Sequence, residues 1–393
     1  MKVLFLSAST GGGHAKAAEA VMEIMELKYP GFTGQVVDTL KHISPMIDRL
    51  VVGTYLSTVK NTPHIYGTFY KLSENGENIT DITKTFNKLM AVKLVDFISE
   101  YAPSVIVCTH TFPLQMLSSL KQKGIVTIPV IGIVTDFVNH LFWKLDGVDA
   151  FIVAHEYIKN DMIKAGMPRE RIYTLGIPVA QVFLKKKDRF QLAHELGLKN
   201  KLTMLVMGGS LGFGEFKDVF VSLLKCSRDI QVIAVAGHNK KLEKELRIIA
   251  EHSEKDTKIL GYTNRISDLM DVSDILITKP GGVTISEALV KKLPLLIMSP
   301  LPGQEERNAR FLTNTGAAAS IFSNEDLDSL FCQVLDNPLR LKHMREMAEY
   351  LAKPKASEAI AELIESLSGQ RNILLAKTGF PSLPFSFKPS SLT

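Results

Sequence analysis

A histidine stands directly after three glycines, where the first strand-like run of the chain gives way to a helical pattern. The apolar run KVLFLSA covers residues 2–8, Gly11 to Gly13 follow, and His14 comes next. Glycines let the backbone turn tightly and let a ligand approach the main chain, while the following helix offers free N–H groups and a positive dipole end. An imidazole titrates near neutral pH and can act as a general base. A structural turn with an incidental histidine is the alternative.

Two further glycine-rich turns lie in the second half, and the first of them is a candidate for binding phosphate. MGGSLGFGEF (207–216) follows a strand-like run and adds the hydroxyl of Ser210, although a simple turn explains it equally well. KPGGVTISEAL (279–289) places Thr284 near a helix start and Glu287 one turn into that helix. A glutamate there can complement the helix dipole or accept hydrogen bonds from two neighbouring hydroxyls, as a ribose presents. The first turn, at Gly11 to Gly13, matches neither a P-loop nor a GxGxxG fingerprint.

Polar side chains follow another strand-like run of the second half, in the stretch PGQEERN (302–308). Gln304, Glu305 and Asn308 could together bind a polyhydroxyl ligand through several hydrogen bonds. Helix capping and solvation explain each of them singly about as well.

The stretch TDFVNHLFW (135–143) ends a long apolar run of the first half. Asp136 could orient a base or serve as one, and His140 lies on the same side if the segment is helical. Phe142 and Trp143 are apolar enough to receive an acyl chain. The alternative is that the tryptophan belongs to the core.

Alternating strand-like and helical patterns must position these residues, and they predict an α/β fold with parallel sheets. At 393 residues, two domains are expected. The boundaries that we expect are an N-terminal domain 1–178, a linker 179–200, a second domain 201–350, a terminal helix 351–370 and a disordered tail 371–393. The twelve strand-like runs are 2–8, 34–40, 104–110, 127–136, 150–155, 171–178, 202–209, 230–237, 257–262, 275–281, 293–300 and 317–322. Ligand sites in such domains lie at the carboxyl ends of the strands, where all these turns fall.

Residues 41–95 interrupt the alternation with a long, apolar and aromatic segment. It either packs as an inserted helical pair or forms an exposed apolar surface that contacts lipid. No signal peptide and no run long enough to cross a membrane is evident, which predicts a cytoplasmic or peripheral protein.

Composition excludes several functional classes. The chain is 46% hydrophobic and 22% charged, as expected for a folded globular protein. A net charge of +5 suits an anionic membrane surface and is too weak to indicate nucleic acid. Three scattered cysteines argue against a disulfide framework and against a zinc site.

Taken in order, the motifs GGGHAKAAEA, TDFVNHLFW, MGGSLGFGEF, KPGGVTISEAL and PGQEERN resemble those of the processive diacylglycerol β-glycosyltransferases and monogalactosyldiacylglycerol synthases. These enzymes belong to glycosyltransferase family 28. A more distant resemblance is to the enzyme that adds N-acetylglucosamine to the lipid-linked peptidoglycan precursor. The resemblance runs from about residue 1 to 368. It implies a GT-B fold, in which two Rossmann-like domains face each other across a cleft.

The resemblance also implies a UDP-sugar site in the second half. Residues carried over to the diphosphate are Gly208, Gly209, Ser210, Gly282 and Thr284, while Glu287 would bind the ribose, Gln304 and Glu305 the transferred hexose with Asn308 nearby, and Gly237 and Asn239 the surroundings of the uracil. No cofactor and no metal are expected. The sequence contains the DxD pattern Asp326-Leu327-Asp328, and helix capping is its expected role.

The resemblance implies a transfer that inverts the anomeric centre of the sugar. In such a transfer a base must take the proton of the acceptor hydroxyl. His14 is the first candidate for the base or for positioning the acceptor, and Asp136 is its competitor. The alternatives for His14 are hydrogen bonding to the diphosphate and ordering of the loop. Gly12 and Gly13 would leave room for both substrates, and His140, Phe142 and Trp143 would lie on the acceptor side.

The resemblance therefore predicts transfer of a hexose from UDP-sugar to diacylglycerol or glycosyldiacylglycerol, with glucose favoured and galactose possible. The enzyme would act at the anionic inner face of the cell membrane, and no nucleic-acid partner is expected. The alternatives are N-acetylglucosamine transfer to a lipid-linked cell-wall precursor, a nucleotide-sugar epimerase, and a non-catalytic UDP-sugar sensor.

Overall fold

Two six-stranded parallel sheets, one in each half of the chain, are the framework of a computed structural model that describes residues 1–8, 12–43, 93–209, 215–298, 300–321 and 327–378. Every one of the twelve predicted runs overlaps one strand. The strands are β1 Lys2–Ser7, β2 Thr33–Asp38, β3 Val105–Cys108, β4 Val130–Ile133, β5 Ala150–Ile152, β6 Ile172–Tyr173, β7 Leu202–Met207, β8 Ile230–Val235, β9 Asp256–Leu260, β10 Ile275–Thr278, β11 Leu295–Ile297 and β12 Ala318–Ser320.

Helices lie between most of the strands, as the alternating pattern predicts. They are α1 Gly12–Lys28, α2 Thr39–Ile43, α3 Thr111–Gln122, α4 Glu156–Lys164, α5 Arg189–Glu195, α6 Phe216–Lys225, α7 Lys240–Glu251, α8 Ile266–Val272, α9 Gly282–Val290, α10 Gln304–Asn314, α11 Leu327–Leu335, α12 Pro338–Leu351 and α13 Ala356–Thr378. Residues 93–101 are also helical, and short 3₁₀ turns cover Leu141–Trp143, Arg169–Arg171 and Gln181–Phe183.

The strand orders are β2-β1-β3-β4-β5-β6 and β9-β8-β7-β10-β11-β12. Register is uniform and parallel, with Leu4 of β1 opposite Ile106 of β3 and Met204 of β7 opposite Ile275 of β10. In both sheets the chain order reverses beside the first strand, between β1 and β3 and between β7 and β10. A crevice opens at such a switch point beyond the carboxyl ends of the strands.

The central strands are buried on both faces because helices cover both sides of each sheet. All residues of β3 and β8 are buried, which explains their continuous apolar sequences. The largest buried cluster joins the two halves, since it includes Phe137 as well as Val283 and Phe311.

The predicted linker 179–200 contains no strand, but it contains the helix α5. Asp188 caps this helix by accepting a hydrogen bond from the Gln191 N–H (2.8 Å). Two ion pairs attach it to the second half, Lys187 with Asp268 (2.6 Å) and Arg189 with Asp274 (2.7 Å).

The terminal helix differs from the predicted range 351–370. Leu351 ends α12, and α13 runs from Ala356 to Thr378. The end of α13, residues 371–378, therefore lies in the segment 371–393 that was expected to be disordered. Its sequence consists largely of helix-forming residues without a proline, so the helical pattern continues until the tail composition begins. Residues 379–393 lie outside the described residues, as does most of the 41–95 insertion.

Helix α13 returns to the first half. Ile360, Ala361 and Ile364 are each 0% exposed and share a core cluster with Phe5 of β1. The last helix of the described residues therefore completes the core of the first sheet.

Candidate active site

A cavity of about 500 Å³ opens between the carboxyl ends of the two sheets and is lined by both halves of the chain. Most of the predicted site residues contribute to its wall: Gly12, Gly13, His14, Asp136, His140, Phe142, Trp143, Gly209, Gly282, Thr284, Glu287, Gln304 and Glu305. Residues separated by almost three hundred positions meet here because both switch points face the same space.

Four predicted donor-site residues do not line this cavity: Gly208, Gly237, Asn239 and Asn308. Asn239 caps α7, where its side chain accepts a hydrogen bond from the Leu242 N–H (3.0 Å). Ser210 lies outside the described residues.

His14 is held in one tautomer. Its Nδ1 lies 2.7 Å from the carbonyl oxygen of Thr109 and 3.0 Å from Oγ1 of Thr135. A carbonyl oxygen only accepts, so Nδ1 carries the proton and donates it to Thr109, which leaves the lone pair on Nε2. Burial lowers the pKa of His14, and the Thr109 hydrogen bond opposes that shift. The neutral, proton-accepting form therefore dominates at neutral pH.

A second histidine, His110, was missed by the sequence reasoning. Its ring meets that of His14 edge-on, with centroids 4.7 Å apart and an angle of 86° between the planes. Its Nδ1 accepts a hydrogen bond from the Phe112 N–H (3.1 Å), so the proton is on Nε2. Burial and the neighbouring His14 hold the pKa of His110 well below its usual range. The two histidines, which both line the cavity, are therefore in opposite tautomers: His14 carries its proton on Nδ1 and His110 carries its proton on Nε2.

A short pattern could have revealed His110. His110, His140 and His155 each stand two residues before an aromatic residue, and His110 and His155 also come shortly after the ends of β3 and β5. In all three, Nδ1 accepts from the backbone N–H two residues later, at 3.1, 3.1 and 3.2 Å. The histidines replace the usual Ser, Thr or Asp as caps at the carboxyl edge of the first sheet.

Asp136 joins the two halves. Its side chain is 8% exposed, and its carboxylate accepts hydrogen bonds from Nδ2 of Asn308 (3.0 Å) and from Nε2 of Gln304. Burial raises the pKa of Asp136 to about 6, while the two amide donors lower it and partly offset that shift. A carboxyl group that titrates near neutral pH suits acid–base work.

Asn308, which was expected near the transferred hexose, does not reach the surface of the cavity. It is 0% exposed and lies behind the cavity wall, where Asp136 and the backbone of Phe137 use its side chain. A side chain without exposed surface has no face to offer to a sugar in this arrangement.

The start of α9 forms the opposite wall. Its N-cap is Gly281, which makes no side-chain hydrogen bond to the first turn, so the N–H groups there are available to an anion in the cavity. Thr284 lies in that first turn and also lines the cavity. The carboxylate of Glu287, 5% exposed, has its pKa raised to about 7 by burial, against the lowering effect of Lys16.

Lys16 supplies a cation that the sequence reasoning did not assign. It is exposed in the second turn of α1 and lines the cavity opposite the start of α9. Glu305, in contrast, is partly committed, because its carboxylate accepts the Leu301 N–H (2.7 Å). Burial raises the pKa of Glu305, and the nearby Lys279 opposes the shift.

The two aromatic residues that were expected on the acceptor side differ in their exposure. Phe142 is 41% exposed at the cavity, whereas Trp143 is 4% exposed and belongs to the core, as the alternative interpretation held. His140 caps the 3₁₀ turn Leu141–Trp143, because its Nδ1 accepts a hydrogen bond from the Phe142 N–H (3.1 Å). Burial and the charge of Arg307 lower the pKa of His140 to about 4, so this ring is neutral.

Within the described ranges, no helix is long and apolar enough to cross a membrane. The same residues contain no group of three or more His, Cys, Asp or Glu side chains placed to hold a metal ion. Cys108 and Cys226 are buried free thiols.

Comparison with known proteins gives the class first. The fold matches MurG of Acinetobacter baumannii with a TM-score of 0.63 at 17% identity, covering 93% of this chain and 99% of that one. It also matches HepE of Anabaena in complex with UDP-glucose, with a TM-score of 0.52 at 16% identity over 96% and 100% of the two chains. The two facing sheets and the cavity between them define a protein of the GT-B fold.

The sequence comparisons give the family. Residues 14–179 match the family described as monogalactosyldiacylglycerol (MGDG) synthase, and residues 203–364 match the glycosyltransferase family 28 C-terminal domain. A processive diacylglycerol beta-glucosyltransferase of Bacillus cereus (strain AH187) is 30% identical over 368 residues, which is 92% of this chain and 93% of the relative. The chain belongs to this family of diacylglycerol glycosyltransferases.

Proposed function

We propose that this chain is an inverting, metal-independent glycosyltransferase that moves a hexose, glucose in preference to galactose, from UDP-sugar to diacylglycerol or glycosyldiacylglycerol. One observation carries the proposal. A histidine with its lone pair on Nε2 and a helix start with open N–H groups line the same cavity from opposite halves of the chain. The first can accept a proton, and the second can stabilise an anionic leaving group.

The reaction assigned to the site is a single displacement. The acceptor hydroxyl oxygen attacks the anomeric carbon, its proton passes to Nε2 of His14, and the bond from that carbon to the diphosphate oxygen breaks with its electron pair on UDP. The Thr109 carbonyl, 2.7 Å from Nδ1, stabilises the imidazolium that forms. A low ground-state pKa keeps His14 ready to accept the proton.

The leaving group develops negative charge on the diphosphate. The first turn of α9 with Thr284, together with the glycine turn at Gly209, provides donors for it without a metal ion. Lys16 of the first half adds a positive charge to the same region. This arrangement ties stabilisation of the leaving group to closure of the two halves.

Recognition of the donor is assigned to the second half. Glu287 would accept hydrogen bonds from the ribose hydroxyls, and Gln304 and Glu305 would contact the hexose. The predicted contributions of Gly208, Ser210, Gly237 and Asn239 remain part of the proposal for the diphosphate and uracil ends.

The decisive experiment is a transfer assay with purified protein in mixed micelles containing diacylglycerol. UDP-glucose, UDP-galactose and UDP-N-acetylglucosamine are offered in turn, with the lipid present or absent. Lipid-dependent formation of a glucosyl product supports the proposal. Transfer only from UDP-N-acetylglucosamine to a lipid-linked precursor would favour the cell-wall alternative. UDP-sugar binding with no transfer at all would overturn the transferase assignment in favour of an epimerase or a sensor.

The membrane part of the proposal is tested separately. We expect a peripheral protein at the inner face of the cell membrane, attracted by anionic lipid. Flotation with vesicles that contain or lack phosphatidylglycerol should recover the protein with the anionic vesicles. Recovery in the soluble fraction with both vesicle types would contradict the peripheral location.

A further inference from the structure

Asn308 is a buried amide at the contact between the two halves. It lies in α10 and is 0% exposed, and all of its hydrogen-bonding groups have partners. Its Oδ1 accepts the Phe137 N–H (2.9 Å), and its Nδ2 donates to Asp136 Oδ1 (3.0 Å) and to the Pro280 carbonyl oxygen (3.0 Å). One donor on one side and two acceptors on the other leave a single orientation for the amide.

These three hydrogen bonds connect different parts of the site. Pro280 immediately precedes the start of α9, while Asp136 and Phe137 follow β4 in the first half. The amide therefore holds the carboxylate of Asp136 at a fixed place relative to the α9 N-terminus. Neither an apolar side chain nor a carboxylate of the same size could make all three contacts.

The ionisation of Asp136 depends on its donors. Burial disfavours the carboxylate, and the hydrogen bonds from Asn308 and Gln304 favour it. Glu305, next to Gln304 on α10, is the facing acidic group, and Lys279 beside it opposes its charge. In the first half, His14 contacts the hydroxyl of Thr135, the residue that precedes Asp136. Arg307, which lies on α10 with Gln304 and Glu305, donates a hydrogen bond to the carbonyl oxygen of Asn139 (3.2 Å).

We propose that Asn308 is a positioning residue, which holds Asp136 ionised and directed into the cavity when the two halves meet, and does not bind the transferred hexose. This inference rests on the proposed function and adds the Asp136 carboxylate, which lines the cavity, to the groups that take part in the transfer. Gln304 then has two roles, since it lines the cavity and also donates a hydrogen bond to Asp136.

The test is the pH profile of Asn308→Leu, which removes the amide and keeps a similar size. Loss of the donor should raise the pKa of Asp136, so the acidic limb of kcat should move upward by about one pH unit or more. Donor KM and the ratio of glucose to galactose transfer should change less than about threefold. Asn314→Leu, an exposed site at the end of the same helix, is the matched control and should leave the limb in place. An unmoved limb with a tenfold higher donor KM would make Asn308 a sugar ligand and overturn the proposal.

A second readout does not depend on transferase activity. Infrared titration of protein labelled with ¹³C-aspartate follows the Asp136 carboxyl directly, and Asp136→Asn identifies its band. The midpoint should lie near the pKa of about 6 in the unchanged protein and higher in Asn308→Leu, or in Asn308→Ala if the leucine variant does not fold. An unchanged midpoint overturns the inference. A shifted midpoint in a protein without transferase activity would support the positioning role while rejecting the proposed function.

Discussion

The backbone of Gly282, at the start of α9, lies directly against the carbonyl group of Thr135 in the other half of the chain. A Cβ at Gly282 would fall 2.9 Å from the Thr135 carbonyl carbon and would overlap its oxygen, whereas a Cβ at Gly281 would meet nothing within 4 Å. The two halves can therefore approach to this distance only with glycine at position 282. The same approach brings His14, which contacts Thr135, to the wall opposite the open helix start.

Gly282→Ala should hold the two halves apart. Because a displacement of about 1 Å between reacting groups can cost on the order of a hundredfold in rate, we expect kcat/KM to fall by at least about tenfold. Small-angle scattering with UDP should show a larger radius of gyration than for the unchanged protein. Gly281→Ala is the matched control for the scattering measurement. Equal radii for both variants would contradict the steric role of Gly282.

His14→Ala should remove the proposed base. General-base catalysis typically contributes about 10²- to 10⁴-fold, so kcat should fall by at least about a hundredfold while UDP binding, measured by calorimetry, stays within about threefold. His343→Ala, an exposed histidine of α12, is the control. In the unchanged protein, activity should fall at pH values low enough to protonate His14, whose pKa is lowered. Loss of UDP affinity without loss of kcat would instead assign His14 to the diphosphate.

Glu287→Gln should stabilise the protein in a pH-dependent way. The folded state raises the pKa of Glu287 from 4.5 to about 7, so the folded protein binds the proton more tightly than the unfolded chain. Stability from this group is therefore complete below pH 4.5 and declines as the pH rises to 7. Replacement by the neutral amide should raise the free energy of unfolding by about 2 kcal/mol at pH 8 and by little at pH 4.

The check on Glu287 is urea unfolding of the variant and the unchanged protein at both pH values. Glu26→Gln, on the exposed face of α1, is the matched control and should change stability by no more than about 0.5 kcal/mol. A gain at pH 8 that persists unchanged at pH 4 would exclude burial of the charged form as its cause.

Ile364→Ala should destabilise the first half of the chain although it lies in the last helix. The side chain is fully buried in the core cluster with β1, so its truncation should cost about 3 kcal/mol. Ile248→Ala removes the same atoms from a side chain that is 57% exposed and should cost less than about 1 kcal/mol. Urea unfolding compares the two. Equal costs would show that α13 does not complete that core.

Phe142→Ser should weaken the use of the lipid acceptor. Phe142 is 41% exposed at the cavity, and covering the remaining apolar surface with an acyl chain would contribute about 1.4 kcal/mol. This free energy corresponds to about a tenfold higher KM for diacylglycerol, with the KM for UDP-sugar unchanged. Phe190→Ser, at an exposed phenylalanine of α5, is the control. A change in the donor KM instead would place Phe142 on the sugar side.

The sequence by itself determined the alternation of strands and helices, and with it both sheets. Continuous apolar runs such as β8 are typical of strands in the interior of a parallel sheet, because an exposed face would leave apolar side chains in water. The glycine turns also followed from local sequence, since they stand where strands end. The rule that ligands bind beyond these ends then indicated His14, Asp136 and Thr284.

Only the tertiary structure decided how residues from the two halves meet. Asn308 looks like any polar residue at a helix start, and its fully buried position depends on the distant Asp136 and Phe137. Gly282 likewise requires glycine because of Thr135, which no local pattern encodes. The return of α13 to the first sheet depends on a core more than 200 residues away in sequence. Local propensity decides which elements form, whereas contacts between distant segments arise from burial and hydrogen bonding that exist only after folding.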